Sequence, residues 1–147
     1  QIRDRYRKKL DIENKFVIGH VGRFNFQKNH SFIIKIFNEI YKQKEDTVLL
    51  LIGVGPDEYK IRKMVKEYNL EKCVKFLGSR DDIPEIMQAM DIFLFPSLFE
   101  GLSVVLVEAQ AAGVRISYQR SNCRYRQYQF YLIERTWDSM GKKNNRR

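Results

Sequence analysis

The sequence predicts one α/β domain in which a parallel β-sheet is covered by helices on both faces. Four runs of mostly apolar residues are separated by segments whose apolar residues recur at helical spacing. Runs that stay apolar, instead of alternating with polar residues, are typical of strands buried on both faces. Each run is followed by residues that turn the chain, such as glycine or proline. The length of 147 residues fits one domain with a single core.

The first half of the chain predicts two strands joined by a helix. A short charged helix over residues 4–10 leads to the first apolar run, residues 16–22. Apolar residues at helical spacing follow over residues 32–40, and residues 47–53 form the second apolar run. A strand, a helix and a strand in this order indicate a parallel pair of strands with a crossover helix.

The second half repeats this alternation. Helices are predicted over residues 57–68, 82–90 and 103–112, and strands over residues 73–77 and 92–95. Pro84 fits the first turn of its helix, and Gly113 fits the end of the last one. We predict no buried strand after Gly113, because the following residues are polar and basic.

Candidate ligand-binding groups follow the first two strands. Ligands of parallel sheets bind beyond the carboxyl ends of the strands. Arg23 and Lys28 share the loop after the first strand, where a rigid guanidinium and a flexible ammonium suit a pyrophosphate. The alternative is that both cations are solvated. Gly53 and Gly55 lack the GxGxxG spacing of a nicotinamide site and are more typical of a tight turn.

Two carboxylates, Glu100 and Glu108, bracket a glycine turn and the start of an apolar helix. Ser103 can cap that helix, and a helix N-terminus attracts phosphate. Each carboxylate can accept two hydrogen bonds from a sugar diol. The segment therefore suits a sugar nucleotide, and the alternative is a capped amphipathic helix with two solvated acids.

Most of the net charge of +9 belongs to the end of the chain. Residues 1–114 carry 18 Lys and Arg against 16 Asp and Glu, whereas residues 115–147 carry 9 against 2. The tail also changes from lysine to arginine and contains four of the eight tyrosines, which suggests a changed reading frame. We expect this tail to be poorly ordered. A basic nucleic-acid-binding protein whose tail tyrosines stack on bases is the weaker alternative, and we expect no nucleic-acid partner.

The remaining polar residues predict no metal site. Cys73 and Cys123 lack the spacing of a zinc site or a disulfide framework. We expect His20 to be a buried, hydrogen-bonded histidine and His30 to be a capping or surface residue. The chain has no run of about 18 apolar residues and no apolar signal behind its charged start, so we expect a cytoplasmic protein.

Five motifs in order resemble the carboxy-terminal, donor-binding domain of the family 4 (group 1) retaining glycosyltransferases, which have the two-domain GT-B architecture. They lie at residues 22–29, 51–56, 74–78, 95–97 and 100–113. The resemblance covers residues 15–113 and implies a Rossmann-like domain, one half of a GT-B fold, that is incomplete at its C-terminus. Residues 1–14 are then a lead-in helix or linker, and residues 114–147 an atypical tail.

The resemblance implies a role for each charged residue of the cleft. Arg23 and Lys28 match the pair that holds the donor pyrophosphate, and Glu108 matches the acid that binds the ribose diol. Glu100 matches the acid beside the donor hexose and is the candidate catalytic residue. The family needs no metal, because two cations and a helix N-terminus stabilise the charge that grows on the leaving nucleoside diphosphate.

Further implied contacts come from two loops. Gly101 and Leu102 match backbone positions that approach the sugar and the phosphate. Arg80 and Ile83 belong to the loop that matches the lining of the nucleobase site. The implied substrate is a UDP- or GDP-linked sugar, with no other cofactor.

The resemblance also implies a missing partner. The family's first domain carries the acceptor site, so we expect this chain to be a fragment that does not transfer a sugar alone. With that domain, the enzyme would transfer a hexosyl group to a saccharide or glycolipid acceptor in surface polysaccharide synthesis, in the cytoplasm or at the inner face of the membrane. The alternative is a non-catalytic remnant that folds without binding a donor.

Overall fold

A computed structural model describes residues 1–97 and 103–118 of the chain. It contains five helices, a 3-10 turn at Phe26–Lys28 and five strands in these residues. The helices are α1 (Ile2–Lys9), α2 (His30–Gln43), α3 (Glu58–Glu67), α4 (Ile83–Ala89) and α5 (Val104–Ala111). The strands are β1 (Phe16–Val21), β2 (Thr47–Ile52), β3 (Val74–Gly78), β4 (Ile92–Phe95) and β5 (Arg115–Tyr118).

The five strands form one sheet in the order β3-β2-β1-β4-β5, and every neighbouring pair is parallel. The predicted Rossmann-like α/β fold is therefore confirmed. From β1 the chain first builds the sheet outwards through β2 and β3, and then returns to add β4 and β5 on the other side. The strand order thus reverses between β1 and β4, and such a switch point leaves a crevice at the carboxyl ends of the strands.

Helices cover both faces of the sheet. Ile18, Leu49 and Leu51 belong to a cluster with buried residues of α2 and α3. Their neighbours along the strands point the other way, and Val17 and Leu50 pack with residues of α1, α4 and α5. Because each strand alternates between two buried clusters, β1, β2 and β4 are buried at every position, which explains their continuous apolar sequence.

The prediction that no strand follows Gly113 was wrong. Arg115–Tyr118 forms β5, which pairs with β4 from Ile92 to Phe95. Along this strand Arg115 is exposed, Ile116 is half-buried and Ser117 is buried. A strand beside only one described neighbour does not need to be apolar throughout, and the search for a continuous apolar run therefore missed it. The prediction for residues 119–147 lies outside the described residues.

The two histidines also lie together in the interior. His20 is buried, as predicted, and its Nδ1 lies 2.8 Å from the Leu94 carbonyl oxygen. The prediction of a surface or capping role for His30 was wrong, because only 2% of its surface is exposed. Its ring stacks on Phe24 at a centroid distance of 4.1 Å and meets His20 edge-on at 4.8 Å. Within the described ranges neither ring nitrogen of His30 has a hydrogen-bond partner, so its contacts with Phe24 and His20 are ring contacts only.

Candidate functional site

The loop after β1 presents two cations at the carboxyl edge of the sheet. Asn25 orders this loop, since its Oδ1 accepts a hydrogen bond of 3.1 Å from the Lys28 backbone N–H and so caps the 3-10 turn. Arg23 is exposed, and its guanidinium has no hydrogen-bond or ion-pair partner among residues 1–97 and 103–118. Lys28 is half-buried, with Nζ 5.5 Å from the centroid of the Phe95 ring. Both predicted pyrophosphate ligands therefore lie at the switch point.

Two glycines after β2 let the neighbouring loops pack closely. Gly53 has a φ of +126°, and a Cβ atom there would lie 2.2 Å from the Gly22 carbonyl oxygen. A Cβ atom on Gly55 would lie 2.5 Å from the Phe24 carbonyl oxygen. The loops are also joined by a hydrogen bond of 3.1 Å from the Phe24 N–H to the Val54 carbonyl oxygen. These glycines do more than turn the chain, because they shape the loop that carries Arg23 and Lys28.

Helix α5 begins on the other side of the switch point. Ser103 caps it as predicted, with Oγ accepting from the Leu106 N–H at 3.4 Å. Glu108 is half-buried on α5, and its carboxylate has no hydrogen-bond or ion-pair partner within the described ranges. The helix start therefore supplies free backbone N–H groups, and Glu108 supplies an acceptor on the same helix. The other predicted residues of this segment, Glu100, Gly101 and Leu102, lie outside the described residues.

The loop after β3 holds the two predicted nucleobase residues. The guanidinium of Arg80 donates two hydrogen bonds to the Asp82 carboxylate, at 2.8 and 2.7 Å. This pairing, together with a hydrogen bond from Tyr6 Oη at 2.9 Å, holds the pKa of Asp82 far below its usual range. Ile83 is half-buried at the first position of α4. Arg80 is thus held in one orientation by its own loop.

The sheet order decides which predicted residues are neighbours. Strands β1 and β4 are adjacent, so the loop with Arg23 and Lys28 lies beside the carboxyl end of β4. Strand β3 is separated from β1 by β2, so Arg80 lies farther along the same edge. Two asparagines of the first loop, Asn25 and Asn29, were missed by the sequence analysis. A signal was available for Asn25, because asparagine before a helical turn is a capping residue, whereas Asn29 makes no side-chain cap.

Two kinds of functional feature are absent from the described part of the chain. Residues 1–97 and 103–118 contain no cluster of three or more His, Cys, Asp or Glu side chains arranged to hold a metal ion. Within the same ranges, none of the helices has the length and apolar character needed to span a membrane.

Comparison with known proteins identifies close relatives of the sequence. The sequence model of the family described as glycosyl transferases group 1 matches residues 2–121. The chain is 43% identical over 101 residues to EpsF of Bacillus subtilis, whose name describes a glycosyltransferase. It is 33% identical over 129 residues to an Escherichia coli enzyme, UDP-Gal:alpha-D-GlcNAc-diphosphoundecaprenol alpha-1,3-galactosyltransferase. These matches cover 69% and 82% of the chain, but only 26% and 33% of the relatives.

A solved structure has a similar fold. The Anabaena protein HepE, in complex with UDP-glucose, superimposes with a TM-score of 0.73 at 28% identity. The superposition covers 80% of this chain and 33% of HepE. The family match extends over most of the chain, and the fold agrees with it from β1 to β5. The chain therefore belongs to the group 1 glycosyltransferases.

Proposed function

We propose that this chain is the donor-binding part of a retaining glycosyltransferase, which binds a nucleoside-diphosphate sugar in the crevice between β1 and β4. The observation that carries this proposal is the arrangement at the switch point. Exposed Arg23 and half-buried Lys28 lie in the loop after β1, and the capped start of α5 follows the adjacent strand β4. Two cations and a helix N-terminus at one crevice suit a diphosphate.

Glu108 takes the ribose in this proposal. It lies one turn beyond the start of α5, is half-buried, and has no protein partner among the described residues. A carboxylate in that state accepts the two hydroxyl hydrogens of a diol without first breaking an ion pair. Glu100, with the backbone of Gly101 and Leu102, would contact the hexose and the phosphate. Arg80 and Ile83 would lie beside the base.

The donor is proposed to be UDP-linked. The name of the Escherichia coli relative states a UDP-galactose donor, and the HepE structures contain UDP and UDP-glucose. The chemistry of the crevice supports a diphosphate without specifying the base, so GDP is the competitor to test. We propose that binding needs no metal, because Arg23 and Lys28 supply the positive charge that a divalent cation supplies elsewhere.

The chemical role of this part follows from the leaving group. When the anomeric bond breaks, negative charge grows on the nucleoside diphosphate. Arg23, Lys28 and the start of α5 would stabilise that charge more strongly than the charge of the intact donor, which lowers the barrier to transfer. Catalysis also requires an acceptor. The chain spans about a quarter to a third of the length of these relatives, so the acceptor site is proposed to belong to a further domain.

The acceptor class is proposed from the relatives. The Escherichia coli enzyme acts on a diphosphoundecaprenol-linked sugar, and so does a Campylobacter jejuni N-acetylgalactosaminyltransferase that is 32% identical over 107 residues. A saccharide on a lipid carrier, used for surface polysaccharide, is therefore the acceptor we propose, with transfer at the inner face of the membrane. The alternatives of a remnant or a nucleic-acid-binding protein are not favoured by these comparisons.

The experiment is a calorimetric titration of the full chain with UDP and with GDP, in buffer that contains EDTA. We expect saturable binding of UDP. The variants Arg23→Ala and Lys28→Ala should each raise the Kd about tenfold, because each removes a charge-assisted contact of about 1.5 kcal/mol. Glu108→Gln should weaken binding of UDP and uridine alike, since both carry the ribose.

Two control variants distinguish the loss of a ligand contact at the site from a general effect of the changed charge. Lys66→Ala removes the same charge from the last turn of α3, at the opposite end of the sheet, and should leave the Kd unchanged. Glu71→Gln is the corresponding control for Glu108, because Glu71 is exposed in the loop before β3. A folded chain that binds neither nucleotide, or an equal loss in Lys66→Ala and Lys28→Ala, would contradict the proposal.

A further inference from the structure

Strands β1 and β4 separate before either strand ends. Their backbone pairing, as the structure describes it, joins Ile18 to Ile92 and Gly19 to Phe93. Strand β1 continues for two more residues, which pair with β2 on its other side. The backbone pairing of the two strands therefore ends at Gly19 and Phe93, before the carboxyl end of either strand.

Side chains connect the two strands above the last backbone pair. Three consecutive residues of the β4 side are each contacted by one residue of the β1 side. The contacts are His20 Nδ1 to the Leu94 carbonyl oxygen at 2.8 Å, Lys28 Nζ to the Phe95 ring centroid at 5.5 Å, and Asn29 Nδ2 to the Pro96 carbonyl oxygen at 3.3 Å. The contact from Asn29 is the outermost of the three along β4.

Asn29 is tied to the loop by its backbone as well. It has φ of 59° and ψ of 44°, the left-handed conformation that asparagine tolerates better than most residues. Its N–H donates to the Phe26 carbonyl oxygen at 3.2 Å and closes the 3-10 turn. Its own carbonyl oxygen accepts from the Phe32 N–H at 3.1 Å, where α2 begins. The amide side chain therefore links the end of the turn that contains Lys28 directly to the end of β4.

We propose that Asn29 is a positioning residue for the donor diphosphate, which holds the loop after β1 against Pro96 and so keeps the Lys28 ammonium at the crevice. The inference rests on the proposed function. Ordering the loop that carries Lys28 would cost conformational entropy if it happened only when a ligand binds. The hydrogen bond of Asn29 fixes the backbone from which Lys28 extends, so that less of this cost falls on binding.

The test is the affinity of the full chain for UDP and for UMP in the variant Asn29→Gly. Glycine adopts the left-handed backbone without strain and removes the side chain that carries the amide. We expect the Kd for UDP to rise about tenfold, the effect of losing one contact of about 1.4 kcal/mol. The Kd for UMP should change less than about twofold, because UMP lacks the second phosphate. Asn29→Asp, which keeps the shape but cannot donate at neutral pH, should show at least the same loss for UDP.

The control variant is Asn69→Gly. Asn69 has φ of 56° and is exposed after α3, so the same substitution is made at a second left-handed asparagine away from the crevice. Its UDP affinity should equal that of the unchanged chain. If the unchanged chain binds UDP and Asn29→Gly binds it equally well, the positioning role is wrong while the proposed function stands. An equal loss for UDP and UMP would show a general structural effect and would overturn the role. If the unchanged chain binds no UDP, the proposed function fails, and this inference fails with it.

Discussion

Arg7 of α1 and Asp91 at the start of β4 form a buried ion pair, with the guanidinium 2.8 Å from the carboxylate. The Asp91 side chain is only 3% exposed. It also accepts a hydrogen bond of 2.8 Å from the Val17 N–H and pairs with Arg3 at 2.6 Å. Arg7 further donates to the Ala89 carbonyl oxygen at 3.1 Å. One carboxylate therefore joins α1 to two adjacent strands.

The first prediction concerns this carboxylate. Asp91→Ala leaves the guanidinium of Arg7 buried without its counter-ion, and removal of one partner of such a pair costs about 3–5 kcal/mol. We expect the free energy of unfolding, measured by urea denaturation, to fall by that amount. Glu39→Ala is the control, because it removes an exposed ion pair with Lys42 of similar length, 2.9 Å, and should cost less than about 1 kcal/mol. Similar losses in both variants would show that burial does not strengthen the Asp91 pair.

The second prediction concerns the packing of the loops at the crevice. Gly53→Ala places a Cβ atom 2.2 Å from the Gly22 carbonyl oxygen at a φ of +126°. Backbone strain and steric overlap together should lower the free energy of unfolding by about 3 kcal/mol or more. Gly78→Ala separates the two causes, since Gly78 has a φ of +67° and open space around it. That variant should cost about 1–2 kcal/mol, the strain of a left-handed residue alone. If both variants lost the same free energy of unfolding in thermal or urea denaturation, the overlap at Gly53 would cost nothing, because the loops could move apart.

The third prediction concerns the start of α5. Ser103→Ala removes the acceptor of the Leu106 N–H and should lower the stability of the helix by about 1 kcal/mol. Hydrogen exchange should show this loss as faster exchange at the Leu106 amide. Ser79→Ala, at an exposed serine of the loop after β3, should leave that amide unchanged. Unaltered protection of Leu106 in Ser103→Ala would mean that the cap contributes nothing.

The sheet and its helices could be predicted from the sequence because their signals are local. The strands β1, β2 and β4 are buried on both faces, and a run of apolar residues in the sequence indicates such burial directly. Strand β5 could not be found in this way, because its pairing with β4 depends on contacts that a local pattern does not contain. His30 shows the same limit, since its burial follows from the rings of Phe24 and His20, which other elements bring to it.

The candidate site likewise has parts that the local sequence predicts and parts that it does not. The residue types and order of Arg23, Lys28 and Glu108 predict a diphosphate and a diol as ligands, and the strand order brings their elements to one crevice. The contact of Asn29 with Pro96 joins residues 67 positions apart, and no local sequence pattern predicts it. Supporting contacts of this kind depend on how far β1 and β4 separate, which is a property of the folded sheet.

The last prediction is a pH dependence that arises from His30. Burial, followed by the nearby His20 and Lys28, lowers the pKa of His30 from about 6.5 to about 3. Between these values the unfolded chain binds a proton that the folded chain does not. The contribution of His30 to the free energy of unfolding is therefore fully present above pH 6.5 and is lost as the pH falls. At pH 5.5 the free energy of unfolding should be about 1.4 kcal/mol lower than at pH 7.5 through this residue alone.

The measurement is urea denaturation of the full chain and of His30→Gln at both pH values. Glutamine does not titrate, so the variant should lose about 1.4 kcal/mol less stability than the unchanged chain between pH 7.5 and pH 5.5. The comparison uses the change with pH and not the absolute stability, because the substitution itself removes the stack on Phe24 at 4.1 Å and is destabilising at every pH. All other titrating groups are common to both proteins. The same pH dependence in both proteins would mean that His30 takes up its proton in the folded state, in spite of its burial between Phe24 and His20.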